Sequence, residues 1–237
     1  SGTHTARVSG QAGPDACHNV PMRPVLITIH EEPEQPGLVA EALSAAGVPF
    51  EVRNAIEHPE DVPDPGDVSR LSGLVILGGP MAADETVRYP GLQREADLAL
   101  AAVQEDIPVL GVCLGHQIIG RALGGEFRPA SAHEVGVLDV DVVGSDPLLP
   151  AGGTVPAMLW HDDQIGLPPG AALLARNDRV PVQAFRCGSA VGVQFHIELD
   201  RALLDRWLAA SPVSAVLTEE RRRAIRAAFA RRAPALP

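Results

Sequence analysis

Cys113 stands between Gly111 and Gly115 in the stretch GVCLGHQIIG, directly after the apolar run IPVLGV. A cysteine there is either a small buried residue at a strand end or a nucleophile presented on a tight turn. Glycines at −2 and +2, a strand before and a helix after give the pattern the steric logic of a nucleophile elbow. The nucleophile must take strained backbone angles, and its neighbours must be small where strand and helix pack closely. The sulfur then sits at a helix N-terminus, whose macrodipole and free N–H groups favour thiolate.

A cysteine nucleophile needs a base, and the base needs a group that orients it. The stretch VGVQFHIELD offers His196 and Glu198 after an apolar strand. At i and i+2 in extended chain the two side chains share one side. The carboxylate reaches the far imidazole nitrogen and the near one faces the sulfur.

The flanking segments supply the elements that would hold these groups. Residues 24–30 (PVLITIH) and 72–80 (SGLVILGGP) read as buried strands, and VPFEVRN as another. Helical spacing covers 36–47, ending on Gly47, and 91–107. IPVLGVC is the next strand, and a short helix closed by Gly124-Gly125 follows it. Alternating strands and helices predict a parallel sheet covered on both faces, with the ligand crevice at the carboxyl ends of the strands. Later segments, 135–143, 154–170 and those around AALLARND, VPVQAFRCG and SAVGVQFHIE, predict short strands joined by turns. Helices are expected over 199–210 and 217–233. The expected fold is a single α/β domain with a central, mostly parallel mixed sheet flanked by helices. Its expected extent is 22–210, with residues 1–21 as a flexible arm or cloning remnant, Met22 as a natural start, and 211–237 as a helical tail.

Composition narrows the chemistry. All 19 basic residues of the 237 are Arg, which excludes Schiff-base lysine chemistry and a Lys-dependent phosphate loop. A net charge of −11 disfavours nucleic acid and anionic membranes. Cys17, Cys113 and Cys187 are odd in number and scattered, which suggests neither a disulfide framework nor a zinc site and fits a cytoplasmic protein. No apolar run reaches the ~18 residues of a membrane span. No metal or cofactor is expected. Cys17 and His18 read as part of a solvated tail, Cys187 as structural, Phe195 as core or pocket wall, and His116 as a surface or packing residue.

Together, G-x-C-x-G-x-Q at 111–117, Gly-Gly-Pro at 78–80 and Phe-His-x-Glu at 195–198 resemble the class I (triad-type) glutamine amidotransferase family. The likeness runs from about Val25 to Leu208 and includes HEVGV (133–137), WHDDQI (160–165) and VQAFRCG (182–188). The nearest subgroup is stand-alone proteins similar to the amidotransferase domain of GMP synthase. The resemblance implies a flavodoxin-like fold and a defined set of roles. Cys113 would attack the side-chain carboxamide of glutamine, His196 would move protons, and Glu198 would orient His196. Backbone N–H groups of Gly79 and Leu114 would hold the oxyanion, each donor worth ~10²–10³ in rate. Gln117 would meet the amino-acid end of the substrate, with main chain around Met81 and at Trp160, His161, Asp162 and Asp163 completing the pocket. The ammonia would go to a separate synthetase or acceptor enzyme.

Two positions depart from the family pattern. Ile197 stands between His196 and Glu198 where Pro or Leu is usual, and its side chain points away from the site. Asp162 replaces the glycine of His-Gly-Asp, so a carboxylate could repel the α-carboxylate of glutamine or pair with its ammonium. A γ-glutamyl compound other than glutamine is therefore an alternative substrate, and a free-standing γ-glutamyl amide or peptide hydrolase the alternative enzyme. Further readings are a non-catalytic scaffold, which the intact Cys113, His196 and Glu198 oppose, and a cysteine-elbow enzyme of the glyoxalase-like type, which lacks a late His-x-Glu.

Overall fold

The computed structural model describes residues 22–210, 214, 215 and 217–232. The expected N-terminal arm, with Cys17 and His18, lies outside the described residues. The chain order is β1 (Val25–Ile29), α1 (Gly37–Ala45), β2 (Phe50–Asn54), two 3-10 turns, β3 (Gly73–Ile76), α2 (Pro90–Gln104), β4 (Val109–Val112) and α3 (Leu114–Ala122). It continues through β5 (Phe127–Arg128), β6 (Glu134–Val142), β7 (Gly153–His161), β8 (Gln164–Ile165), β9 (Ala172–Arg176), β10 (Ala184–Cys187), β11 (Ala190–Val193), α4 (Arg201–Ala210) and α5 (Glu219–Arg232).

Nine strands form one sheet in the order β2-β1-β3-β4-β11-β10-β9-β6-β7, and β5 pairs with β8 separately. The strands from β2 to β11 in that order are mutually parallel, whereas β10 and β6 run against their neighbours. All other strands of this sheet therefore point the same way, which is the mostly parallel mixed sheet expected from the sequence. The parallel strands are short apolar runs because both faces are covered. Every residue of β1, β3 and β11 is buried.

The period of two then sorts side chains between two cores. Leu26, Leu74 and Ile76 face α2 and α3, where they meet Leu92, Ala99, Ile118 and Ile119. Val25, Ile27, Ile29, Val75 and Leu77 face the other way, with Val39 and Leu43 of α1 packed over them. A third apolar cluster lies under α4 and α5, where Leu203, Leu204, Trp207, Ile225 and Phe229 cover Val137 and Met158. The helix α2 ends at Gln104, short of the expected 107, because Asp106 takes φ 54° and turns the chain into β4.

The strand directions place the carboxyl ends of β1, β3, β4, β11 and β7 on one rim. Helix α1 is docked against that rim. The Leu38 N–H donates to the Glu198 carbonyl at 2.9 Å. Gly37 has φ +44°, and a Cβ there would lie 2.2 Å from the same carbonyl oxygen. Gly37→Ala therefore combines a left-handed backbone with a backbone collision and is expected to cost about 2–4 kcal/mol. Urea unfolding followed by circular dichroism checks this, and an unchanged midpoint would refute the close docking.

Candidate active site

The turn from β4 into α3 is as tight as a chain allows. Val112 ends the strand, Leu114 begins the helix, and Cys113 alone joins them at φ 52°, ψ −104°. An L-residue there is strained by about 1–3 kcal/mol and keeps the conformation only where its surroundings enforce it. They do. A Cβ on Gly111 would lie 2.5 Å from Gly115 C and O, and one on Gly115 would lie 2.0 Å from the Ile76 carbonyl oxygen. The Gly115 N–H donates to Leu77 O at 3.1 Å, so the end of β3 is bonded to the first turn of α3. The first N–H groups of a helix have no intrahelical acceptor, which leaves that of Leu114 beside the sulfur.

His196 follows β11, the strand next to β4. Its Nδ1 lies 2.7 Å from Glu198 Oε1, and both side chains are almost fully buried. Its Nε2 is buried and has no partner, because the Cys113 thiol turns toward the Trp160 carbonyl at 3.7 Å. Cys113 and His196 both flank Gly78: a Cβ there would be 3.3 Å from His196 Cε1 and 3.7 Å from Cys113 Cβ. Burial pushes the imidazole pKa down, but the charge of Glu198 and the adjacent Cys113 outweigh it and hold it well above the ordinary value. Trp207 stands edge-on to the ring, centroids 4.8 Å apart, and its indole N–H is fixed to Pro33 O at 2.9 Å.

The cavity at this point is lined by Glu34, Gly79, Pro80, Met81, Cys113, Gln117 and, across from them, Trp160, His161, Asp162, Asp163, His196 and Trp207. The structure thus brings together every sequence-predicted site residue except Leu114 and Glu198 as lining groups, and those two adjoin it. Gln117 Nε2 donates to Asp163 O at 3.2 Å and to Gln194 Oε1 at 3.1 Å, which ties α3 to the loop after β7. The same Asp163 carbonyl accepts from His161 Nδ1 at 2.8 Å, and His161 Nε2 lies 3.0 Å from Glu134. Glu134 is also held by Asn177 and Gln183; burial opposes its ionisation, but these three partners bring its pKa below the ordinary value. Asp162, the departure in the substrate loop, sends its carboxylate outward to His133 at 2.6 Å.

His116 is not on the surface. It is fully buried against Phe185, centroids 5.1 Å apart, and burial holds its pKa at about 3, so it packs as a neutral ring. Cys187 is half-buried and packs against the core beneath α2 and α3.

Four further residues line or back the cavity without a local motif in the sequence to mark them: His30, Glu34, Glu95 and Trp207. His30 closes β1 and is fully enclosed. Its Nδ1 lies 2.7 Å from Gly78 O and its Nε2 3.0 Å from Glu95 Oε2, with neither side chain exposed. Burial lowers the imidazole pKa, yet Glu95 and the Gly78 carbonyl reverse the direction and raise it. Glu34 has one oxygen sealed without a partner, 3.3 Å from where a Gly78 Cβ would stand. Burial raises its pKa from 4.5 to about 7, against the pull of His196 and His30.

A raised carboxyl pKa means the folded chain binds the proton more tightly than the unfolded one. This contribution to stability is complete below about pH 4.5 and is lost as pH rises through about 7. Glu34→Gln is therefore expected to lose less stability than the parent between about pH 5 and 8, by on the order of 2–3 kcal/mol. Urea unfolding of both proteins at the two pH values measures it, and equal losses would show that Glu34 does not titrate on folding.

Comparison with known proteins agrees with this geometry. Residues 37–206 match the model of the family described as glutamine amidotransferase class-I. A glutamine-hydrolyzing GMP synthase subunit from Sulfolobus acidocaldarius is 34% identical over 139 residues, covering 56% of this chain and 70% of that one. The glutamine-hydrolyzing GMP synthase of Thermomicrobium roseum is 33% identical over 156 residues, 62% of this chain but only 28% of the longer enzyme. Among solved structures, a glutamine amido transferase from Methylobacillus flagellatus superimposes with a TM-score of 0.72 at 28% identity, covering 81% of this chain and 76% of that one. A glutamine amidotransferase from Thermotoga maritima gives 0.70 at 26% identity, covering 86% and 94%. With the family model spanning most of the chain and the elbow, the glycine-rich strand end and the His-x-Glu strand gathered on one rim, this chain belongs to the class I glutamine amidotransferase family.

Proposed function

We propose that the chain hydrolyses the side-chain amide of glutamine through a thioester on Cys113 and delivers the ammonia to an acceptor-activating enzyme. The observation that carries this reading is the buried His196–Glu198 pair beside a cysteine held at positive φ. The Cys113 thiol gives its proton to His196 Nε2 as the sulfur attacks the amide carbon, and the developing oxyanion is met by the N–H groups of Gly79 and Leu114. His196, aligned by Glu198, passes its Nε2 proton to the nitrogen; the C–N bond breaks and ammonia leaves. A water then gives its proton to His196 and attacks the thioester carbon. Glutamate departs, and the proton returns to the sulfur.

Glutamine itself fits the substrate loop. Asp162 lines the cavity, but its exposed carboxylate is paired with His133 at 2.6 Å, which supports a pocket wall at residues 160–163 that accepts the substrate α-carboxylate. Gln117 and Met81 complete the amino-acid end. The sequence has no phosphate loop, so activation of the acceptor falls to another domain or chain; the GMP synthase relatives motivate a synthetase as that partner. No described helix is long and apolar enough to cross a membrane, and a cytoplasmic setting is proposed with the partner.

Treatment with the glutamine analogue 6-diazo-5-oxo-L-norleucine is expected to add one label seen by intact mass, and Cys113→Ala to abolish both the label and glutamine hydrolysis. An unlabelled parent protein would overturn the reading. Adding the partner synthetase should raise ammonia release several-fold. Full turnover alone on a γ-glutamyl conjugate, with none on glutamine, would mark a free-standing γ-glutamyl hydrolase instead.

A further inference from the structure

The mechanism above leaves two buried pairs unused, His161 with Glu134, which braces the loop after β7, and His30 with Glu95. In the second pair both side chains are completely enclosed, they come from the end of β1 and from α2, and they are 3.0 Å apart. A buried ionisable pair is costly to desolvate and is weak evidence for a stabilising role. Its placement says more. His30 Nδ1 lies 2.7 Å from the carbonyl oxygen of Gly78. A carbonyl oxygen only accepts, so Nδ1 carries a proton and donates to Gly78 O, while Glu95 on the other ring nitrogen fixes the ring and raises its pKa.

The Gly78 carbonyl and the Gly79 N–H belong to one peptide unit. The described chain has no cis peptide bonds. In a trans peptide the C=O and N–H vectors point in opposite directions in one plane. A donor fixing the oxygen on the inner side therefore fixes the hydrogen on the outer side, where Gly79 lines the cavity with Cys113. That N–H donates to no other backbone carbonyl or side chain among the described residues. The strand end is also closed against any other arrangement: a Cβ on Gly79 would lie 2.8 Å from His30 Cβ and 2.8 Å from Leu114 Cδ2. Two glycines in series have unusual freedom to rotate their shared peptide, and His30 removes it.

We propose that His30, held by Glu95, is a positioning residue that locks the Gly78–Gly79 peptide with its N–H aimed at the oxyanion formed on Cys113. The inference rests on the glutaminase reading, because it presumes that an oxyanion forms there. The hydrogen bond to the Gly78 carbonyl also polarises the peptide and strengthens the N–H as a donor. No proton is transferred by His30; it acts only through the peptide.

The test separates oxyanion stabilisation from general integrity of the site. In the double variant His30→Leu/Glu95→Leu, which leaves no orphaned charge, kcat for glutamine should fall by about 10²-fold or more, the scale of one lost oxyanion donor, with KM within threefold. Binding of the aldehyde analogue of glutamine, which traps the thiol as a tetrahedral adduct, should weaken in parallel with kcat. Alkylation of Cys113 by iodoacetamide, which forms no oxyanion, should stay within twofold. His30→Asn, which retains a donor near the Nδ1 position, should recover at least tenfold of the loss. A kcat within threefold of the parent, or alkylation falling together with kcat, would overturn the proposal. Should the double variant not fold, Glu95→Gln carries the test: a three- to tenfold fall in kcat with unchanged alkylation supports it, and an unchanged kcat overturns it. Failure of the glutaminase reading is distinct, since the parent protein would then neither release ammonia nor take up the diazo analogue.

Discussion

The contact between Gly115 and the Ile76 carbonyl sets the terms for the rest of the molecule. Because α3 approaches the end of β3 with no room for a side chain, Cys113 has no freedom to relax out of its positive φ. The strain at that residue is held by an entire strand–helix interface, which is how a small domain keeps a high-energy turn at a reactive group. Everything else at the rim is arranged relative to that fixed sulfur. His196 arrives on the strand adjacent to β4, the glycine-rich end of β3 lies on its other side, and α1 is pressed onto the peptide that carries Glu198.

The rim concentrates buried charge to a degree that the rest of the chain avoids. His196 with Glu198, His30 with Glu95, and His161 with Glu134 are three imidazole–carboxylate pairs, each almost wholly enclosed. Surface ion pairs of the chain, such as Arg53 with Glu51, are solvated and contribute little to stability. The enclosed pairs differ in what they hold. One faces the sulfur, one holds a peptide behind the glycine-rich strand end, and one braces the loop after β7. Each ring is oriented by its carboxylate, so the geometry of a flexible polar group is converted into that of a fixed one.

Much of this was legible in the sequence because its signals are local. The elbow glycines flank Cys113 at fixed offsets, His196 and Glu198 are two residues apart on one strand, and the apolar runs of β1, β3 and β4 are bounded by turn residues. The residues that were not read lack such signals. His30 ends a strand within ITIHEEPE, where a histidine among glutamates reads as solvated, and its burial depends on α2 arriving from some sixty positions away. Glu95 did leave a trace: it occupies the apolar stripe of α2 with Leu92, Ala96 and Ala99, where a carboxylate needs a buried partner. Trp207 reads as an ordinary helix residue until α4 is laid beside His196. His116 was open between surface and packing, and only tertiary structure decides that.

The division of the interior into separate clusters has a consequence for how such a scaffold diversifies. The sulfur and imidazole are seated on the parallel half of the sheet, over the two cores that α1, α2 and α3 enclose, whereas the wall that would meet the amino-acid end rises from the β6–β7 hairpin, which divides its side chains: Val137 and Met158 pack beneath α4 and α5, while Val140, Ala157 and Leu159 join the core that also holds Cys113. The hairpin is also tied to the reactive corner by hydrogen bonds, Gln117 to Asp163 and the His196 N–H to the Met158 carbonyl among them, and β6 continues the sheet through β9. Substitutions on the hairpin face that α4 and α5 cover can therefore reshape the recognition wall with least disturbance, whereas those on its other face enter the core that seats the sulfur, so only one side of this periphery is open to exchange.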